Sequence, residues 1–330
     1  MSYHHLTTEQ RECILENLGA KKSIREIAKL VGCAPSTISR ELKRNKKGNR
    51  YSPSKADARY QWRRQRCHRP LILGNDENRL VIIRLVCEFQ WSPEQIANRL
   101  KLDGHPLQVS TATIYRAIDR QLFEKRRLWP TERGFKKFLR HKGHKRRNQN
   151  KPSNRGKMNI SHPIEERPAA AGDRSEVGHL EADTVYGKQG GPCLVTLVDR
   201  KTRFLYCRLS AKCTHPYVEA AIRDIFSSLP PALRKTVTPD RGNEFRCHER
   251  ITQEFGTPFY FPLPRQPWQR GTNENTNGLL REYFPKGFDF SSLDDLSLQK
   301  IVSKLNNRPR KCLNWLSPAE VLSLSVLHLD

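Results

Sequence analysis

GHLEADTVYG (178–187), followed closely by PCLVTLVDRKTRFLYCRLSA (192–211), decides how the second half of this chain is read. The first stretch alternates, so His179, Glu181 and Asp183 share one strand face. The second reads as two longer strands around a turn at Asp199, Arg200, Lys201 and Thr202. Further on, THPYVEAAIRDIFSSLP (214–230) spaces Val218, Ala221, Ile222 and Ile225 along one face of a helix. KTVTPDRG (235–242) is a short strand ending at Asp240, HERITQEFG (248–256) a short helix, TPFYFPLP (257–264) a strand and TNENTNGLLREYF (272–284) a helix. The order is three strands, helix, strand, helix, strand, helix. It predicts a mixed five-stranded sheet with helices against it.

Three acids in distinctive surroundings lie on that framework: Asp183 in GHLEADTVYGK, Asp240 in VTPDRGNEF and Glu274 in PWQRGTNENTNGLLREYFPKG. Two sit on strands and one opens a helix, so the three can converge at one edge of the sheet. Converging carboxylates in a basic protein suggest Mg²⁺-dependent chemistry on a polyanion, with metal charge offsetting that of the scissile phosphate. Rival acids have simpler roles. Glu181 is expected to bond a neighbouring basic group, Asp199 to serve its turn, and Glu244 and Glu282 to be helix-surface charges. His179 and His215 lack zinc spacing. Neither a Ser-His-Asp order nor a phosphate-cradling glycine loop occurs, which leaves acyl transfer and nucleotide hydrolysis unsupported.

The formal net charge of the 330 residues is +26. Residues 1–160 hold 37 Lys and Arg against 14 Asp and Glu, whereas 161–330 hold 23 against 20. A nucleic-acid-binding front joined to a near-neutral working part fits this asymmetry. No apolar run approaches the roughly 20 residues of a membrane span, and the N-terminus lacks secretory-signal character. The nine cysteines are scattered and form no CxxC, as expected of free thiols in a reducing, cytoplasmic compartment.

The front half supplies two helix-turn-helix candidates. In the first, LTTEQRECILENL (6–18) opens on a Thr cap and turns Ile14, Leu15 and Leu18 to one face; SIREIAKLVG (23–32) turns in Ile24, Ile27, Ala28 and Val31 and stops at Gly32. CAPSTISRELKRN (33–45) then buries Ile38 and Leu42 and presents Ser36, Thr37, Ser39, Arg40, Lys43 and Arg44, a face suited to a major groove. In the second, WSPEQIANRLKLDG (91–104) and STATIYRAIDRQL (110–122) read as helices, the latter capped by Ser110 or Thr111 and exposing Thr113, Arg116 and Arg120. YQWRRQRCHRP (60–70) and residues 136–159 read as solvated basic stretches that also track a DNA backbone.

These residues resemble a known family. GHLEAD, LVTLVDRKTRF, TPDRGNEF, the block around Glu274 from Phe261 to Gly287, LNNRPRKCLNWLSPAEVL (305–322) and the first helix-turn-helix are similar to bacterial insertion-sequence transposases of the IS-thirty family. These are DDE recombinases with a ribonuclease H-like core. The resemblance spans nearly the whole chain. It implies a helix-turn-helix domain over 1–60, a second such region with a basic linker over 61–172, and a catalytic domain over 173–330. It implies that Asp183, Asp240 and Glu274 are catalytic and hold two Mg²⁺ ions (Mn²⁺ substituting), without a small-molecule cofactor. Arg281, two helical turns beyond Glu274, would hold the terminal DNA phosphate, or else pair with Glu282 or Asp289. Partners would be terminal inverted repeats, target DNA and further copies of the chain, in the bacterial cytoplasm at the nucleoid. The alternative is a DNA-binding regulator on a catalytically inactive transposase scaffold.

Overall fold

The computed structural model describes residues 5–327 except 47, 49, 68–69, 127, 130–131, 141–159, 264–265, 267–268 and 270. The chain divides into two compact units, Met1–Leu71 and Ile72–Asp330.

Capping chemistry sets the helix starts of the first unit. Helix α1 (Thr8–Gly19) begins at Thr7 and α2 (Ile24–Val31) at Ser23, each through a reciprocal capping box, with Gln10 and Glu26 as the returning side chains. Gly32 ends α2 at φ 72°, a conformation that costs a glycine little. Helix α3 (Pro35–Asn45) follows, and α4 (Pro53–Arg66) completes the unit. Ile14, Ile27, Ala28, Val31, Ile38, Tyr51 and Ala56 form the core. Leu15 and Ile24, expected inside, are each 41% exposed; on α1 the 100° step to the residue after buried Ile14 carries Leu15 out of the packed stripe.

The first part of the 60–70 stretch, expected as solvated and basic, is the end of helix α4, which runs Pro53–Arg66. Ser52 accepts from the Lys55 N–H, proline occupies the first turn, and only Pro53 and Ala56 are buried. So little apolar face leaves a weak helical period. A buried polar knot fastens α1, α3 and α4 together. Arg11, 2% exposed, donates to Glu41 at 3.0 Å and Asp57 at 2.8 Å, while the Tyr51 hydroxyl donates to Glu41 at 3.0 Å.

The second unit starts with α5 (Asp76–Cys87), α6 (Pro93–Leu102) and α7 (Thr111–Asp119), packed through Ile82, Val86, Ile96, Leu100, Ile114 and Ile118. Ser92 and Ser110 are the caps of α6 and α7. The remaining elements are β1 (His162–Pro163), α8 (Ala169–Asp173), β2 (His179–Tyr186), β3 (Cys193–Asp199), β4 (Leu205–Ser210), α9 (His215–Ser227), β5 (Thr236–Thr238), α10 (His248–Phe255), β6 (Tyr260–Phe261), α11 (Gly271–Tyr283), α12 (Asp295–Asn306) and α13 (Pro318–Val326).

A mixed sheet runs β4-β3-β2-β5, antiparallel except for the β2/β5 pair. The expected five strands are thus four in the ladder. The fifth, β6, pairs in parallel with β1 and approaches β5 through a single bridge, Val237 to Phe259. Pro258, Pro262 and Pro239 lack the N–H donors a longer ladder needs. One sheet face packs Leu180, Ala182, Val195 and Leu197 on α9 and α10. The other packs Val185, Leu194, Val198 and Cys207 on α11 and α12. Both faces are covered, and β3 is buried throughout.

The C-terminal segment fastens α6. Arg99 grips Glu320 in a fork, at 2.7 and 2.6 Å, the Gln95 amide donates to the Pro309 carbonyl at 2.7 Å, and Lys311 pairs with Glu94 at 2.9 Å. The Arg99 hydrogen bonds hold the Glu320 carboxyl far down, at about 2.

Arg11→Met should destabilise the first unit by about 3–5 kcal/mol, because Glu41 would remain buried without its cation. Adding Glu41→Leu should recover more than half of that in denaturant unfolding. A single-variant loss under about 1 kcal/mol would show that the knot does not support the unit.

Candidate functional site

The parallel register of β2 and β5 brings two of the three acids together. Glu181 pairs with Thr238 in that ladder, so two residues further along each strand direction come Asp183 and Asp240, with the same side-chain parity on neighbouring chain segments. Asp183 is half-buried and Asp240 is 5% exposed. The Thr184 N–H donates to Asp183 Oδ1 at 2.9 Å, and the Gly242 N–H donates to Asp240 Oδ1 at 2.8 Å.

Helix α11 docks on this pair. Asn277 Nδ2 donates to Asp183 Oδ2 at 2.9 Å. Glu274, itself exposed, lies one turn earlier on the same helix, and Arg281 one turn later. Among the described residues, no three His, Cys, Asp or Glu side chains stand close enough to share one metal ion. Asp183 and Asp240 thus lie on adjoining chain segments, and Glu274 lies on the helix bonded to Asp183.

Glu181 secures that helix. It is fully buried, forms an ion pair with Arg200, and accepts from the Asn273 backbone N–H at 3.0 Å. A carboxylate here satisfies an otherwise orphaned first-turn donor and lies at the positive end of the helix dipole. Arg200 also donates to the Ala171 carbonyl at 2.6 Å; burial lowers its pKa, with Glu181 opposing. Alongside, Arg203 donates to Thr272 Oγ1 at 2.5 Å. The expected basic partner of Glu181 is present. The expected turn role of Asp199 is also met, since it accepts from Gly178, Lys201 and Thr202.

Other residues depart from expectation. Glu244 is not a plain surface charge: it accepts from Thr184 Oγ1 at 3.3 Å and from the Tyr186 hydroxyl at 2.9 Å, two β2 residues of opposite side-chain parity to Asp183. Glu282 pairs with Arg308 and Arg140, and Asp289 with Lys188. Both alternative partners of Arg281 are thus engaged elsewhere; Arg281 is half-buried and donates to the Phe284 carbonyl at 3.4 Å, with its pKa lowered by burial. The Asn277 contact went unforeseen, although its three-residue offset from Glu274 was a usable signal. Trp268 lies outside the described residues, as does most of the 136–159 basic stretch.

On α3, Ser36, Ser39, Arg40, Lys43 and Arg44 are exposed and Thr37 is half-buried. On α7 and its cap, Arg116 and Arg120 are exposed, whereas Thr113, expected exposed, is half-buried. Arg116 bonds back to Ala112 and Thr113 within its own helix. Among the described residues no helix is long and apolar enough to cross a membrane, and all nine cysteines are free thiols.

Residues 2–45 match a family described as a helix-turn-helix domain. Across 99% of its length the chain is 39% identical to the transposase InsI for insertion sequence element IS30A of Escherichia coli (strain K12), covering 85% of that protein. The transposase for insertion sequence element IS4351 of Bacteroides fragilis is 38% identical, with 96% of this chain and 94% of that protein covered. The chain belongs to the IS30 family of insertion-sequence transposases. A further relative, the transposase for insertion sequence element IS1086 of Cupriavidus metallidurans, is 36% identical over 97% of the chain and 95% of its own length. Among solved structures, the catalytic core domain of BIV integrase aligns with 46% of this transposase and 99% of its own chain, at 15% identity and a TM-score of 0.36.

Two measurements test the transposase's site framework. Glu181→Gln should cost about 3–5 kcal/mol in the second unit by leaving Arg200 buried and unpaired; an unchanged denaturant midpoint would remove the pair from that role. His179, bonded at 2.8 Å to Thr236 Oγ1, has its pKa lowered below 6.5 by burial and then by Lys235. A depressed folded value means stability is complete above about 6.5 and declines as pH falls toward it. The urea midpoint should therefore drop between about pH 7 and pH 5, less steeply in His179→Gln. Equal slopes in both proteins would assign the effect elsewhere.

Proposed function

We propose that this transposase binds the terminal inverted repeats of its insertion sequence and catalyses Mg²⁺-dependent cleavage and joining of DNA strands. The observation that carries the reading is the juxtaposition at β2, β5 and α11: Asp183 and Asp240 follow one parallel register, and the helix bearing Glu274 is bonded to Asp183 through Asn277. All donors are hard carboxylate oxygens, a set that fits Mg²⁺ or Mn²⁺ better than zinc. When bound, a metal pair would activate the attacking oxygen and stabilise the leaving one.

The chain's own groups prepare that chemistry. Thr184 and Gly242 N–H groups orient the two aspartates. Glu181 fixes the start of α11, so Glu274 completes the ligand set from a helix end held by a buried bond. Arg281, on the stripe of Glu274 and Asn277, faces the DNA phosphate. The α3 face from Ser36 to Arg44 reads repeat DNA, and Thr113, Arg116 and Arg120 at α7 provide a second contact. Functionally the chain divides into a reader over 1–60, a second reader and basic linker over 61–172, and a catalytic part over 173–330. Holding two ends calls for at least two copies acting together in the bacterial cytoplasm.

Asp183→Asn, Asp240→Asn and Glu274→Gln should each lower Mg²⁺-dependent cleavage of a cognate-end duplex by at least about 100-fold, as loss of several kcal/mol of metal-assisted stabilisation implies. Gel-shift affinity for the ends should hold. Cleavage surviving in any one variant would strike that residue from the site. A wild-type chain that binds ends yet never cuts them would leave the regulator reading.

A further inference from the structure

The first unit carries a cleft between α3 and α4 with a volume of about 350 Å³. Thr37, Arg40 and Arg44 line it from α3, and Tyr60, Arg63 and Arg64 from α4. These positions form one helical stripe on each wall, at offsets of three and four residues. The acid that lines it, Glu41, is already engaged, since it is bonded to buried Arg11. Among the described residues, Arg40, Arg44, Arg63 and Arg64 make no ion pair, so four guanidinium groups converge on one small concavity. Arg64 is held in place by donating to the Tyr60 hydroxyl at 2.8 Å.

We propose that this cleft is a phosphodiester-binding site: it grips the DNA backbone beside the groove that α3 enters, and Arg40 and Arg44 serve it rather than base edges. The inference rests on the DNA-binding reading above and deepens it. A guanidinium presents a planar fork matched to two phosphate oxygens. The concavity is too small for a duplex and suits one or two backbone phosphates. Half of its cations come from α4, which no helix-turn-helix reading of α2 and α3 includes. The adjacent α3 stripe of Ser36, Ser39 and Lys43, all exposed, is left to carry sequence preference. Backbone grip and base reading are thereby assigned to different stripes of one helix.

The test uses the full chain with a cognate inverted-repeat duplex and a scrambled duplex, titrated over a range of NaCl. Arg63→Ala with Arg64→Ala should weaken both duplexes by the same factor, about tenfold or more, and leave their ratio unchanged. Two lost phosphate contacts should make the plot of log affinity against log salt shallower by about 1.8. Arg63→Lys with Arg64→Lys, which keeps the charge, should restore most of the slope. Ser39→Ala with Lys43→Ala should instead lower the cognate-to-scrambled ratio. Unchanged affinity and slope in the folded double-alanine variant, checked by circular dichroism, would overturn the proposal. So would a loss confined to the cognate duplex. A wild-type chain that binds neither duplex would overturn the DNA-binding reading itself, and the cleft's role with it.

Discussion

The buried contact of Glu181 with Arg200 and the first turn of α11 is the constraint on which the placing of α11 against the mixed sheet depends. A carboxylate with no solvent exposure is tolerable only with full compensation. Arg200 supplies the opposite charge and the Asn273 N–H supplies a hydrogen bond from a helix end. That arrangement removes the freedom of α11 to slide along the sheet. Because Asp183 is two residues from Glu181 on the same strand face, whatever fixes Glu181 also fixes the distance between the acidic pair and the helix that carries Glu274.

Order around the acids thus comes from neighbours that do no chemistry. Asp240 lies past the last ladder pair of β5, where strand geometry no longer holds it, and the Gly242 N–H takes over. Asp183 is held on one oxygen by its own strand and on the other by α11. Asn277 occupies a lone pair of Asp183 Oδ2 and so keeps that carboxylate oriented. A polar neutral side chain does this without adding a fourth negative charge to an already acidic edge.

Much of this was legible in the residues, for identifiable reasons. Alternation across 178–187 and the turn at Asp199 placed three strands because both faces of the sheet are packed and register is strongly specified. The apolar spacing of α9 and the reciprocal caps of α1, α2 and α6 marked helices by mechanisms that act locally. Helix α4 was missed because two buried residues in fourteen leave little apolar period. The fifth strand was overestimated because apolar Phe259, Tyr260 and Phe261 advertise a strand while the flanking prolines deny it a ladder. The role of Arg11 was invisible in sequence: a charged residue in a capped helix reads as solvated until its partners, 30 and 46 positions away, are seen to surround it.

The fork between Arg99 and Glu320 joins groups 221 positions apart. The first unit closes with contacts inside its own seventy or so residues, so during translation it is able to mature while the remainder is still on the ribosome. Helix α6, by contrast, must wait for residues 309–320 to emerge before these contacts exist. A polypeptide that stops short of Glu320 therefore has a finished first unit but a second unit without the fork that ties α6 down.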